Sequence, residues 1–193
     1  MLINFLRGLQ KFLGALISFG RLLLPRCLGL KTGSGVQIGR GTNWPLGNLR
    51  QIQLDDNVHL GKHGWFYIPL QNRTARIHIG SGTAISDNFT ISCNELIRIG
   101  KNCLMSYRIS ILDHDHITGL NVNPVTSGTT KGEAVEIGDN TFVGTGVVIM
   151  RGVKIGKNCV INANSVVMRS FEDNCIISGS PAKVVMMVSP VVK

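Results

Sequence analysis

Asp113-His114-Asp115-His116 is the densest cluster of proton-transfer groups in this 193-residue chain. An imidazole titrates near neutrality, so either histidine could take a proton from a hydroxyl while that oxygen attacks an acyl carbon. A carboxylate beside it could fix the ring's tautomer through the second nitrogen. Asp113 and Asp115 are both available. In an extended segment, however, the histidines share one face and the aspartates the other, so the orienting carboxylate could also come from elsewhere. Zinc is the alternative chemistry, and it needs three converging imidazoles with an open fourth position. The remaining histidines, His59, His63 and His78, lie well upstream and read as surface or turn residues. Out of context, the four residues 113–116 would be a solvated polar turn.

The context is a repeat. From Ile137 to Met168 an aliphatic β-branched residue falls at every sixth position: Ile137, Val143, Ile149, Ile155, Ile161 and Val167. Glycine follows Ile137, Val143 and Ile155. A helix would need a 3.6-residue period and would not tolerate this glycine load. Six is a multiple of the strand period, so each unit reads as a short strand plus a turn, with Gly and Asn supplying the positive-φ corners. The fifth position of each unit (Thr141, Val147, Val153, Cys159, Ser165) is small or β-branched, as a second inward site in a narrow core requires. The spacing predicts an all-β solenoid, a parallel β-helix.

Fainter repeats begin near Val36 and Ile38 and resume at Leu54, Leu60 and Phe66. A regular run follows at Ile79, Ile85, Ile91 and Ile97, then the phase slips by two to Ile99, Met105 and Ile111, which predicts a bulged corner near Cys93 to Leu96. After Ile111 the repeat stops, and it resumes at Val135. Residues 113–134 therefore form a loop protruding from the wall, the kind of insertion that carries function.

The repeat resembles the hexapeptide-repeat acyltransferases over roughly Gly35 to Val185. The segment Val135–Val185, closing in Gly179-Ser-Pro-Ala-Lys183, looks like the maltose, galactoside and surface-polysaccharide O-acetyltransferases. It departs at Phe142, where those proteins commonly carry Trp, and at Asn162 and Asn164, where they carry Gly; Asn tolerates the left-handed region. The resemblance implies a left-handed β-helix, a homotrimer with its sites at subunit seams, and acetyl-coenzyme A as co-substrate without a metal. It implies that His116, five residues after Ile111, is the base, with His114 as its near alternative and Asp113 beside them. Carried across by position, Gly144 and Thr145 would lie near the thioester arm, Ala163 further along it, and Arg169 and Lys183 near the phosphates. Ser86 and Asn88 match the acceptor region. The implied reaction is direct acetyl transfer to a sugar hydroxyl, with a zinc enzyme of the γ-carbonic-anhydrase type or a non-catalytic scaffold as alternatives.

Residues 1–30 are a separate unit. Asn4, Arg7, Lys11, Ser18 and Arg21 share one helical face and apolar residues cover the rest, so 2–24 is predicted as a basic amphipathic helix. Its charges interrupt any membrane-spanning run. It either lies on an anionic membrane through Arg7, Lys11 and Arg21 or packs on protein. The β-helix domain is placed at 31–185 and a short tail at 186–193. The net charge of +9 suits acidic partners such as a phosphorylated cofactor, a nucleotide sugar or an anionic membrane surface, and the basic helix tilts the expected sugar acceptor toward a lipid-linked sugar. The cations are scattered, with no nucleic-acid recognition module. Five cysteines without metal spacing indicate reduced, buried thiols and the cytoplasm, on or off the inner membrane face.

Overall fold

Because side chains alternate across a strand, a residue and its sixth successor point the same way, and the inward aliphatics stack into columns. The computed structural model, which describes residues 17 and 20–188, has that form: three parallel sheets wrapped into a triangular prism, consistent with a left-handed β-helix. The first wall stacks Lys31–Thr32, Ile52–Leu54, Arg76–Ile79, Leu96–Ile99, Val135–Ile137 and Lys154–Ile155. The second stacks seven parallel strands from Gln37–Ile38 to Cys175–Gly179, and Ala182–Met187 folds back antiparallel as its eighth. The third stacks Trp65–Tyr67, Thr90–Ser92, Ser110–Leu112, Val148–Ile149 and Val166–Val167.

The inward columns are sealed: Ile85, Met105, Val143 and Ile161 are fully buried in the second wall, and Ile91, Ile111, Ile149 and Val167 in the third. The fifth positions are buried with them, Thr141, Val147, Val153, Cys159 and Ser165 alike. Near the base, aromatics replace aliphatics, with Trp44 stacked on Phe66 at 4.9 Å and Phe66 meeting Phe89 edge-on at 5.3 Å. Cys93, Cys103, Cys159 and Cys175 are buried and unpaired, while Cys27 is exposed. Burial pushes the thiols of Cys93, Cys103 and Cys159 up, away from thiolate reactivity.

Corners repeat as faithfully as walls. Asn102, Asn140, Asn158 and Asn174 all hold positive φ between the first and second walls, and Asn158 Nδ2 donates to Asn174 Oδ1 at 3.0 Å. Asn164, one of the departures from glycine noted above, also sits at positive φ, +59°.

The glycine after an inward aliphatic has a different cause. A Cβ on Gly138 would lie 2.5 Å from the carbonyl carbon of Gly156, directly on the next coil. At Gly138 the next coil fits only because that position carries nothing.

Residues 20–27 are helical and close the bottom of the prism. Leu22 is buried there, Arg21 donates to the Ile38 carbonyl at 2.9 Å, and Arg26 Nε donates to Thr32 Oγ1 at 2.6 Å. The described end of the helix thus packs on its own solenoid, with Arg21 engaged there; Arg7 and Lys11 lie outside the described residues. Among the described residues no helix is long and apolar enough to cross a membrane.

Gly138→Ala is expected to cost about 1–3 kcal/mol by overpacking backbone against backbone. Gly128→Ala, in the protruding loop with open space around it, should cost only the strain of positive φ, about 1–2 kcal/mol, without disturbing the coils. Thermal unfolding followed by far-UV circular dichroism checks the first, and proteolysis confined to the loop checks the second.

Candidate active site

The third wall ends at Leu112, and the chain then turns a corner instead of continuing extended. Asp113 therefore points inward, fully buried, and its backbone N–H donates to the Ser92 carbonyl at 3.2 Å. Its carboxylate lands on the corner of the coil below, where the extra residues of the phase slip present two backbone N–H groups. Asn94 N–H donates to Oδ1 and Glu95 N–H to Oδ2, each at 2.7 Å. The Cys93 thiol adds a contact to Oδ2 at 3.3 Å.

Oδ1 also accepts from Nδ1 of His114 at 2.8 Å. Orientation of an imidazole by its own neighbour is possible because residue 113 has left the strand. With the proton held at Nδ1, the neutral ring offers Nε2 as its lone pair. Burial by itself would push the Asp113 carboxyl up. The donors outweigh it, His114 first and then the amides of Glu95 and Asn94, and hold the carboxyl below the ordinary carboxylate range.

The protruding loop is a hairpin. Glu133 N–H donates to the Asp113 carbonyl at 2.8 Å, Thr130 N–H to the Asp115 carbonyl at 2.8 Å, and Ile117 N–H to the Gly128 carbonyl at 3.0 Å. His116 forms an antiparallel bridge with Thr129. Asn94 Nδ2 ties the return leg down through Thr129 Oγ1 at 2.8 Å. Arg151, from the coil above, joins both legs: its Nε meets Asp115 Oδ2 at 2.7 Å and its Nη1 meets Glu133 Oε1. These pairs are part-exposed and individually worth little, but together they link both legs to the coil above.

His116 is exposed and lines two recesses. One, of about 450 Å³, is shared with Asp115 and Arg151. The other, of about 350 Å³, lies on the outer face of the third wall between the hairpin and the strand Trp65–Tyr67, and His114 also opens onto it. His59, His63 and His78 sit on other coils; His78 Nε2 pairs with Asp55 at 2.9 Å, and His63 holds a turn at φ +55°. Among the described residues no three His, Cys, Asp or Glu side chains converge as a metal site.

Most of the other residues singled out in the sequence occupy a different edge of the prism. Ser86, Ser106, Gly144 and Asn162 stack one per coil between the second and third walls, each N–H donating to the coil above. Asn88 (φ +61°) belongs to the same edge, as do Thr145, whose Oγ1 meets Ser106 Oγ at 2.7 Å, and the exposed Ala163. Gly144 N–H is committed to the Ile161 carbonyl at 2.8 Å, so of the two only Thr145 N–H is left to stabilise an oxyanion. Arg169 lies at the histidine edge, above Arg151, with its guanidinium 5.3 Å from the Phe171 ring. Lys183 is exposed on the closing strand Ala182–Met187. Within a single chain the structure gathers Asp113, His114 and His116 at one edge, and Ser86, Asn88, Gly144, Thr145 and Ala163 at another.

Sequence reasoning passed over Trp65, Tyr67, Asn94, Thr129, Glu133 and Arg151. Period-two alternation about inward Phe66 would have placed both aromatics outside. Glu133 and Arg151 stand three hexapeptides apart, the length of a regular coil.

Residues 134–169 match the family described as bacterial transferase hexapeptide (six repeats). A candidate acetyltransferase of Dictyostelium discoideum is 35% identical over 118 residues, 58% of this chain and 61% of that protein. A candidate lipopolysaccharide-biosynthesis O-acetyl transferase of Escherichia coli, WbbJ, is 31% identical over 116 residues, 56% and 59%. The galactoside O-acetyltransferase of Escherichia coli is 29% identical over 133 residues, 67% and 64%. The chain thus spans about three fifths of the length of the curated relatives it matches. Among solved structures, a variant of AntD, an N-acyltransferase from Bacillus cereus in complex with dTDP and coenzyme A, superposes with a TM-score of 0.68 at 18% identity, covering 85% of this chain and 88% of that one. A hexapeptide-repeat acetyltransferase from Vibrio cholerae complexed with acetyl coenzyme A gives 0.63 at 22%, covering 89% and 78%. At these identities the structural likeness is one of fold.

Asp113 carries a pH dependence of stability. Its folded pKa lies below the unfolded value of about 3.9, so its stabilisation is complete above that value and is lost as pH falls through the depressed folded value. Asp113→Asn should remove that acid limb. It should also destabilise the protein by about 1–3 kcal/mol at neutral pH, because an amide offers a single acceptor oxygen to two buried N–H groups. Urea unfolding of both proteins between pH 3 and 7 checks this; parallel pH curves would show that Asp113 does not set the limb.

Proposed function

We propose, from the hexapeptide repeats matched over residues 134–169, that the chain transfers an acyl group, acetyl first, from a coenzyme A thioester to a sugar hydroxyl. The observation that carries the proposal is the pair of imidazoles opening onto a recess at the foot of the hairpin, one of them held by a buried carboxylate. His116 is the base. A general base must reach the hydroxyl it deprotonates, and His116 is exposed and borders both recesses, whereas His114 is nine-tenths buried with Nδ1 committed to Asp113. Asp113 and His114 together anchor the start of the hairpin that carries His116.

His116 takes the hydroxyl proton as the oxygen attacks the thioester carbonyl, and Thr145 N–H stabilises the oxyanion of the tetrahedral intermediate. Collapse expels the coenzyme A thiolate, which the imidazolium can protonate. The buried, raised cysteines play no part as nucleophiles. Because Thr145 and His116 lie on different edges of the prism, the complete site forms between two copies, as in a homotrimer. There Gly144 and Ala163 flank the coenzyme arm, and Arg169 and Lys183 take its phosphates. Surface-polysaccharide or lipopolysaccharide assembly at the cytoplasmic face of a membrane is the setting that supplies such acceptors, with lipid-linked sugars among them.

Thiol release from acetyl-coenzyme A is the test, measured over a panel of nucleotide sugars and polysaccharide fragments. Acceptor-dependent turnover should fall about 10²–10⁴-fold in His116→Ala and less in His114→Ala. Loss confined to His114→Ala would move the base to that ring. Failure to bind coenzyme A at all would sink the reaction.

A further inference from the structure

The recess of about 350 Å³ has a lining unlike the rest of the surface. Its floor is the outer face of the third wall, where Tyr67, Ser92 and Leu112 stand in register on successive strands and Trp65 and Thr90 form the next row. Its roof is the hairpin, through His116 and Thr129. On the strand Trp65–Tyr67, Phe66 is buried in the core and the two flanking rings stand outside, Trp65 52% and Tyr67 44% exposed. In a chain with 6% aromatic residues, two adjacent outward rings facing a pair of imidazoles need a cause. Alternation supplies their direction, but it does not require aromatic types at both positions.

Among the described residues no lysine, arginine, aspartate or glutamate lines this recess, although the chain has 31 such residues, Lys+Arg 20 and Asp+Glu 11. The neighbouring recess across His116 contains Asp115 and Arg151. The uncharged side offers π faces, hydroxyls from Thr90, Ser92 and Thr129, and imidazole nitrogens. That set complements a ring with one C–H face and a rim of hydroxyls, and gives no counter-charge to a phosphate. Its volume is at the small end of ligand sites, about 300–1,000 Å³.

We propose that Trp65 and Tyr67 form a stacking platform that selects a neutral pyranose ring as acceptor and presents its hydroxyl rim to His116. The inference rests on the acyl-transfer reading for the role of His116, but the platform is testable without turnover. The nucleotide or lipid phosphate of a larger acceptor, where present, lies outside this recess.

The chain has two tryptophans, so Trp44→Phe, which keeps the stack on Phe66, leaves Trp65 as the sole indole fluorophore. Its emission is titrated with methyl β-D-glucopyranoside, methyl β-D-galactopyranoside and methyl N-acetyl-β-D-glucosaminide, with UDP as the charged probe. At least one neutral pyranoside should shift and quench the emission saturably, and UDP should not. Adding Tyr67→Ala should weaken that binding about tenfold and Tyr67→Phe should leave it unchanged, each with an unchanged thermal unfolding curve. A response to UDP alone, no saturable response to any pyranoside, or equal binding by Tyr67→Ala overturns the platform. Saturable pyranoside binding by a protein that releases no thiol from acetyl-coenzyme A would keep the platform and sink the transfer reading. Turnover on a neutral sugar with a silent Trp65 would do the reverse.

Discussion

A single buried carboxylate ties the hairpin of this molecule to the wall below it. Asp113 accepts from two backbone amides of the coil below and from the imidazole beside it, while its own backbone receives the return leg of the hairpin. A carboxylate out of water is tolerated only when its lone pairs are filled, and here the filling does structural work in three directions. It locks the irregular corner at 93–95, sets the departure of the hairpin from the third wall, and fixes which nitrogen of His114 carries the proton. Removing the extra residues of that corner would remove the amides. The phase slip is thus the receptor for the group that begins the loop, and the two irregularities of the solenoid form a matched pair.

The solenoid was legible because its information is periodic. Ile137, Val143, Ile149, Ile155, Ile161 and Val167 state the period, and period with alternation is enough to assign inward and outward faces and the break after Ile111. The imidazole pair was legible as a composition of residue types, but its geometry was not. Alternation predicted aspartates opposite histidines, whereas Asp113 reaches His114 because the chain rotates at a corner, where period two no longer applies. Cross-coil partners were harder still. Regular coils carry three hexapeptides, as between the paired residues Val143 and Ile161, but Ile85 and Met105 stand two residues further apart. In the early coils, therefore, no constant offset finds Asn94 beneath Thr129 or Trp65 beside the hairpin.

The two prism edges divide the chemistry. The imidazoles proposed for proton transfer stand where the third wall meets the first, and the backbone proposed to face the thioester stands where the second meets the third. The prism keeps them apart because each wall is a full strand wide and its core is solid, filled by Ile91, Ile111, Ile149 and their neighbours. Rigid walls of this kind give each edge a fixed geometry at low reorganisation cost.

The ends of the prism have a consequence of their own. A stack of parallel strands is open at both ends, and each terminal coil presents unpaired amides and carbonyls that another coil of the same sequence could continue. Here the lower end is closed by the helical segment with Leu22 seated under the first coil. At the upper end the strand Ala182–Met187 reverses direction and pairs antiparallel with Cys175–Gly179, with a register shift between Ile176 and Ile177. A parallel coil cannot extend from a reversed and bulged rung in the same register. Among the described residues the second wall is therefore plugged at its upper edge, and another copy cannot lengthen that wall end to end as an amyloid-like stack would.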